Sequence, residues 1–277
     1  AGDARGVDRN TMLDRRNYKR MQMWIHAEAL IDNITDLKSS ELSLFVRLGS
    51  DVKSNYYEYE IPLSLTPPGK YYDFPGSDRE IVWPLSNYLN FNLQSLVNLK
   101  KQRNTAKRNE ESGVGFATLY TGRDPDNERN RMAVIGNPSL SDVRVVLIGV
   151  RNNSTTTKAG TVWVNELKVT DFNEEGGWAA KANATLNVSD IATLNFGAHV
   201  ETAGFGGVDQ SLNERRLDDY EQYNFAIQGD VGRLLPEAVK LRAPIYYSIS
   251  KEKTSPKYNP LDQDVLLKDA LEECAGK

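Results

Sequence analysis

Residues that could carry out catalysis are few in this sequence. It contains two histidines, His26 and His199, which are far apart along the chain. A catalytic triad needs a histidine beside a nucleophile and a carboxylate. Glu28 is close to His26, but no serine near it stands in the Gly-x-Ser-x-Gly pattern of a nucleophile elbow. We therefore interpret His26 as an ordinary strand residue.

Carboxylates leave one enzyme class open. Aspartate and glutamate together number 38 residues, so composition permits a hydrolase that works with a carboxylate pair. No spacing singles out such a pair. The sequence therefore assigns no catalytic residue, and we expect a protein that is not an enzyme.

Oxygen-rich segments are the candidates for a metal site. Ca²⁺ takes about 6–8 oxygen ligands, and Asp124 to Glu128 supplies carboxylates densely. This segment lacks the glycine and the closing glutamate of an EF-hand loop, so we interpret it as a solvated acidic turn. Glu28 and Glu166 are a weaker alternative, because some jelly rolls hold a structural ion at such positions. A structural Ca²⁺ stays open, and the single Cys274 excludes an internal disulfide or a cysteine-based zinc site.

Aromatic residues in the first half could stack against sugars. Stacking suits sugar rings because their C–H edges pack on π systems. The alternative is that tyrosines at alternating strand positions form core or cross-strand pairs. The candidates for a glycan-stacking platform are Trp24, Tyr57, Tyr59 and Trp83, with Tyr56, Tyr71 and Tyr72 as further aromatic residues.

Nucleotide and nucleic-acid sites are not indicated. Neither Gly113 to Gly115 nor Gly204 to Gly207 opens a helix after a strand, as a phosphate-binding loop requires. The basic run from Lys100 to Arg108 is followed by two glutamates, and the chain has a net charge of −4. We expect no nucleic-acid partner, because such proteins usually present a strongly basic face.

The first half predicts a β domain. After a polar lead over residues 1–20, short strands bounded by turns indicate a jelly-roll-like β-sandwich over residues 21–170. One crossover helix is predicted from Asn92, where apolar residues recur at helical spacing. We expect mobile loops from Lys100 to Ser112 and from Thr121 to Arg131.

The second half, residues 171–277, predicts antiparallel amphipathic hairpins. Its strands alternate apolar and polar residues over about 10 positions. No stretch approaches the roughly 20 apolar residues of a transmembrane helix. The pattern alone favours equally a soluble sheet with one solvated face and the wall of an outer-membrane barrel. In the barrel interpretation the lipid-facing residues are Trp178, Leu186, Phe196, Phe225, Ile227 and Ile249.

Several long strings of residues are distinctive. Trp163 to Ala179 reads WVNELKVTDFNEEGGWA, Thr202 to Gly207 reads TAGFGG, and Ser255 to Asp262 reads SPKYNPLD. Met23 to Glu28 and Tyr56 to Glu60 are further examples. These strings resemble, in the same order, segments of the SprA (Sov) family. The similarity runs from about Asp3 to Leu271, nearly the whole chain.

The resemblance implies a role in type IX secretion and gliding motility at the bacterial outer membrane and cell surface. SprA-type proteins form a very large single-chain barrel through which folded proteins leave the periplasm. The implied partners are other segments of the parent barrel, an outer-membrane shuttle protein, a periplasmic plug and secreted cargo proteins. No binding residue carries over from the motifs.

Two expectations about the whole protein follow. The resemblance implies that this chain is an internal segment of a much longer protein, so its lack of a signal peptide at the N-terminus leaves export open. The alternative function is a secreted or cell-surface carbohydrate-binding β-sandwich module with an appended β domain.

Overall fold

The chain forms two compact units, residues 1–173 and residues 174–277. The structure is a computed structural model that describes residues 2–14, 16–30, 33–73, 78–174, 176–210 and 214–275. Antiparallel strands dominate both units, and the helices are short apart from one. The predicted mainly β fold is confirmed.

The first unit alternates strands with two helices. Its strands are β1 (Ala4–Leu13), β2 (Tyr18–Ala29), β3 (Leu42–Gly49), β4 (Tyr56–Pro62), β5 (Leu89–Asn92), β6 (Tyr120–Asp124), β7 (Asn127–Ile135), β8 (Val143–Asn152) and β9 (Gly160–Phe172). Its helices are α1 (Arg79–Val82) and α2 (Leu93–Arg108), with 3-10 turns at Leu85–Asn87 and Glu110–Ser112.

Two antiparallel sheets build this unit. Within the described residues one sheet has the order β1-β8-β3-β4-β7-β6 and the other β5-β2-β9. The pairing is nested, because β2 pairs with β9 while β3 pairs with β8 in the other sheet. Nested pairs divided between two sheets are typical of a jelly roll. β1 lies within the polar lead, and its pairing with β8 makes residues 4–13 an edge strand of this domain.

The core lies between the two sheets. Alternate residues of β2, namely Met21, Met23 and Ile25, are buried, as the two-residue period of a strand requires. Tyr59 on β4 stacks on Phe91 of β5, with ring centroids 3.9 Å apart and planes 9° apart. This ring pair connects the two sheets across the core.

Helix α2 begins where the sequence predicts. The side chain of Asn92 caps it by accepting a hydrogen bond from the backbone N–H of Gln94. The apolar positions spaced for a helical face are buried: Leu93, Leu96 and Val97.

The end of α2 differs from the prediction. The helix continues to Arg108, so the predicted mobile loop from Lys100 to Ser112 is wrong. Arg103 is buried and donates to the backbone carbonyl of Gly136 at 2.7 Å. Lys100 is buried too, and its ammonium group donates a hydrogen bond to the backbone carbonyl of Pro138 at 2.8 Å. Both cations are buried because they bind backbone oxygens. The spacing of apolar residues cannot predict such contacts.

The predicted loop from Thr121 to Arg131 is instead a hairpin. β6 and β7 pair antiparallel around a turn that joins Asp124 to Asn127. The loop prediction is wrong because one face of this hairpin is charged, which hides the strand pattern. A Cβ at Gly122 would lie 2.6 Å from a terminal carbon of Leu99, so the glycine allows α2 to pack closely on β6.

The second unit is a meander. Its strands are β10 (Ala179–Val188), β11 (Ala192–Glu201), β12 (Asp218–Asp230), β13 (Pro244–Pro256), β14 (Tyr258–Asn259) and β15 (Asp262–Leu266). The first four form a sheet in chain order, and β14 pairs with β15. Described 3-10 turns lie at Val231–Leu234 and Glu237–Val239, and helix α3 spans Leu267–Ala275.

Replacing Phe91 by alanine should destabilise the first unit by about 3–5 kcal/mol, because it leaves a cavity beside Tyr59. Equilibrium urea unfolding followed by tryptophan fluorescence measures the change. Leu85→Ala is the control, since Leu85 is 75% exposed. Equal unfolding midpoints for the two variants would contradict a core role for Phe91.

Candidate functional site

The second unit collects its apolar side chains on one face of the four-stranded sheet. The pairing register places one residue of each strand from β10 to β13 in a common row. Residues directly opposite each other in antiparallel strands share a face. Two adjacent rows are apolar: Ala184, Phe196, Phe225 and Ile249, then Leu186, Leu194, Ile227 and Tyr247. We call this surface the apolar sheet face.

The apolar sheet face is exposed. Leu186 is 55%, Phe196 46% and Ile249 52% exposed. Phe225 and Ile227 are partly exposed. Trp178, just before β10, is 58% exposed. Among the described residues of this unit, the buried ones are Gly232, Asp264 and Val265, and these lie outside the four strands. The unit therefore leaves its apolar surface uncovered. Lipid contact by the six predicted residues stays a prediction.

The opposite face of the same sheet is polar. The hydroxyl of Thr185 donates to the amide oxygen of Asn195 across β10 and β11, at 2.9 Å. Asn224 lies over Gly197 so closely that a Cβ there would be 2.0 Å from the amide oxygen. The two faces therefore differ in chemistry over the two apolar rows, whereas the rows towards one end of the apolar side carry Glu221, Lys251 and Lys253.

Both edges of this sheet are open in the part of the chain that the structure describes. β10 and β13 each pair with one neighbour only. Their lengths are 10 and 13 residues. An open edge presents backbone N–H and C=O groups that another strand can pair with.

Two of the distinctive strings meet at one end of this sheet. A Cβ at Gly177 would lie 2.1 Å from the backbone nitrogen of Phe205, so only glycine fits there. The backbone N–H of Trp178 donates to the hydroxyl of Thr202 at 2.8 Å. In return the N–H of Thr202 donates to the carbonyl of Trp178 at 2.9 Å. Both strings are distinctive in the sequence, but their contact was not predicted. Its one local sign is that each string contains two consecutive glycines.

Trp24 and Trp83, two of the predicted glycan-stacking residues, line one surface pocket of about 290 Å³. Trp24 also packs on Tyr88, with ring centroids 4.2 Å apart. Glu166 has φ of 55° where the register of β9 shifts, and such bulges redirect side chains. The polar residues lining the pocket are Arg79, Glu80, Asn165 and Glu166.

Tyr57 and Tyr59 do not belong to this pocket. They are 0% and 1% exposed, so they cannot stack against a sugar from solvent. The hydroxyl of Tyr59 donates to Asp124 and accepts from the amide of Asn130. Burial and the hydrogen bond to Asp124 raise the pKa of Tyr59 above its usual range. This corrects the glycan-stacking prediction for both tyrosines, which are core residues.

His26 has structural contacts. Its Nδ1 lies 2.7 Å from the carbonyl oxygen of Val82 and 3.1 Å from the hydroxyl of Thr66. Its Nε2 lies 3.6 Å from Glu28. Among the residues that the structure describes, no group of three histidine, cysteine, aspartate or glutamate side chains could hold a metal ion.

The outward face of the six-stranded sheet holds two buried carboxylates. Glu58 and Glu60 on β4 are 1% and 6% exposed. Three arginines neutralise them: Arg47 and Arg131 from the strands next to β4, and Arg151 from β8, one strand further away. Arg47 binds Glu58 at 2.7 Å, whereas Arg131 and Arg151 each contact both glutamates. We call these five residues the arginine–glutamate network.

Glu60 is held ionised within this network. Burial alone would raise its pKa. The hydrogen bond from the hydroxyl of Ser43 and the charges of Arg151 and Arg131 outweigh burial and lower the pKa of Glu60 below its ordinary value. Burial likewise opposes the charge of Arg151, but the two glutamates raise the pKa of that guanidinium.

Comparison with protein families places this two-unit, β-rich chain among secretion and motility proteins. The family model SprA_N, described as motility related/secretion protein, matches residues 1–271. The chain therefore belongs to the SprA family, as its sequence strings predict. This family is a secretion and motility family rather than an enzyme family, and it indicates association with the cell envelope.

A search of curated proteins finds no match to this chain. Within the described residues, no helix is both long enough and apolar enough to span a membrane.

Glu60→Gln is expected to lower the free energy of unfolding at pH 7 by about 1–3 kcal/mol, because Arg131 and Arg151 lose a charged, buried partner. The lowered pKa of Glu60 adds a pH dependence. Its stabilising effect is present above the unfolded pKa, near 4.5, and is lost as the pH falls through the folded value. Urea unfolding between pH 7 and pH 3 measures both effects.

Glu128→Gln is the control for this measurement, because Glu128 is an exposed residue of the β6–β7 hairpin. It should unfold like the parent chain at every pH. A stability difference between the parent chain and Glu60→Gln that stays constant below pH 4.5 would contradict the ionised state of Glu60.

Proposed function

We propose that this chain is a structural segment of the protein-conducting outer-membrane channel that exports folded proteins in type IX secretion. The second unit contributes a strip of the channel wall, with the apolar sheet face directed at lipid. The first unit is a soluble sandwich domain attached to the channel. The chain carries no catalytic role in this proposal.

The observation that carries the proposal is the uncovered apolar sheet face. Burying such a surface is the main favourable term in folding, yet this unit leaves it open. Strands β10 to β13 are 10 to 13 residues long. About 9–11 residues suffice for a tilted strand to cross the hydrocarbon core. The apolar and polar faces match the outward and inward sides of such a wall.

The open edges support the same proposal. A four-stranded sheet is too narrow to close on itself, since even small barrels use about eight strands. In the proposal β10 and β13 pair with other segments of the parent barrel. The proposed partners are an outer-membrane shuttle protein, a periplasmic plug and the secreted cargo, all of which follow from the family resemblance.

Single cysteines in the full-length protein should distinguish the two faces. We expect a fluorophore at Leu186, Phe225 or Ile249 to be quenched by nitroxide-labelled lipids in outer-membrane vesicles. The matched controls are the next or preceding residues, Thr185, Asn224 and Ser250, which lie on the polar face. These should react with a water-soluble maleimide and resist lipid quenching.

The background for this experiment is Cys274→Ala, which removes the natural thiol. Quenching that is absent, or equal on the two faces, would contradict the wall assignment. Quenching only on the polar face would reverse the orientation and contradict it as well.

Glycan binding by the first unit is a second candidate function, favoured by the pocket that Trp24 and Trp83 share. Indole rings supply a stacking surface, and the surrounding carboxylates and amide can bind hydroxyls. Trp83→Ala should weaken retention in affinity gels containing soluble polysaccharide by about tenfold. Tyr246→Ala, which removes an aromatic ring 71% exposed in the second unit, is the control. Identical migration of all variants with and without polysaccharide would refute glycan binding.

A further inference from the structure

A row of charged residues crosses the outward face of the six-stranded sheet. Arg123 on β6 is directly opposite Arg131 on β7, which is directly opposite Glu60 on β4. Like charges directly opposite each other destabilise a sheet. Arg129 lies two positions before Arg131 on the same strand and therefore on the same face. Three arginines, Arg123, Arg129 and Arg131, therefore lie on the same face close to Glu60.

These arginines differ in how many of their N–H groups donate hydrogen bonds to carboxylates. Arg131 and Arg151 direct theirs at the two carboxylates of the arginine–glutamate network. Within the described part of the chain, Arg123 donates one hydrogen bond, which is long at 3.3 Å, to the backbone carbonyl of Arg129. Among the described residues, no carboxylate forms an ion pair with the side chain of Arg123 or Arg129. Both side chains are exposed at the sheet surface.

These arginines line a common pocket of about 310 Å³. Arg123, Arg129, Arg131 and Arg151 are in its wall, and Glu60 is its one acidic residue. The amide of Asn153 donates to the hydroxyl of Ser43, which in turn donates to Glu60, so these lining groups are fixed by one another. The pocket is therefore a concave site with excess positive charge and a hydrogen-bonded floor.

We propose that this pocket binds the phosphoryl group of a phosphate monoester, with Arg123 and Arg129 as the main ligands. Guanidinium groups bind phosphate oxygens through paired, charge-assisted hydrogen bonds. A phosphate monoester carries a charge of about −1.5 to −2 and three acceptor oxygens. That charge matches the excess of arginines better than a single carboxylate does. The bound anion also relieves the repulsion between Arg123 and Arg131.

Inorganic phosphate is the probe for this site, titrated into the 277-residue chain by calorimetry at low ionic strength. We expect Arg123→Gln and Arg129→Gln each to weaken phosphate binding about tenfold. Arg144→Gln is the control, because Arg144 lies outside the pocket and pairs with Asp142. It should bind phosphate like the parent chain.

Thermal unfolding separates loss of binding from loss of fold. Without phosphate, Arg123→Gln should melt no lower than the parent chain, because it removes a like-charge pair; with phosphate, the parent chain should gain stability and the variant should gain less. Equal affinity in all variants, no phosphate binding, or acetate binding as tightly as phosphate would overturn the proposal.

Binding to lipid vesicles distinguishes a lipid headgroup from a soluble ligand as the source of the phosphoryl group. Binding to vesicles that contain phosphatidic acid, but not to neutral ones, would identify a lipid headgroup. Binding of free phosphate alone would identify a soluble phosphorylated ligand. Either result supports the site, and neither depends on whether the second unit lies in a channel wall.

Discussion

Cross-strand register is the constraint on which both units depend. The hydrogen-bonding pattern of an antiparallel pair decides which side chains are neighbours on a face. In the first unit it places Arg131 opposite Glu60, so a charge pair forms between strands. In the second it places Phe196 opposite Phe225, so aromatic rings meet on one face. A slip of one residue would turn each set to the other side of its sheet. The charged pocket and the apolar sheet face therefore follow from backbone pairing.

The two units use apolar residues differently. The first divides its nested strands between two sheets and buries Ile25 and Phe91 between them. The second is a single layer in which large apolar residues such as Phe196 remain exposed. A single layer gains backbone hydrogen bonds and cross-strand contacts but little burial. The apolar face of this layer is left uncovered, and it is the family that indicates association with the cell envelope.

Local patterns in the sequence were informative where one physical effect dominates. Helical spacing of apolar residues predicts the start of α2, and strict alternation predicts the faces of β10 to β13. Prediction failed where tertiary contacts decide. The buried Arg103 side chain donates a hydrogen bond to the carbonyl of Gly136, which is distant in sequence, and the charged face of the β6–β7 hairpin hides its strand pattern. Tyr59 is a core residue although its spacing equally suits a surface platform. A long-range contact such as that of Gly177 with Phe205 is marked in the sequence by the glycine alone, because no other residue fits there.

The unequal edges of the four-stranded sheet have a consequence for self-association. β10 is rich in alanine and asparagine, whereas β13 carries a charged stretch from Lys251 to Lys253 in its second half. If β10 of one molecule adds to β13 of another, the assembly again presents one unused β10 edge and one unused β13 edge. Such heterologous, head-to-tail contacts form a ring or an open filament, not a two-fold dimer. The two open edges of one sheet therefore allow repeated head-to-tail addition, into a ring or a filament, whenever other strands do not occupy them.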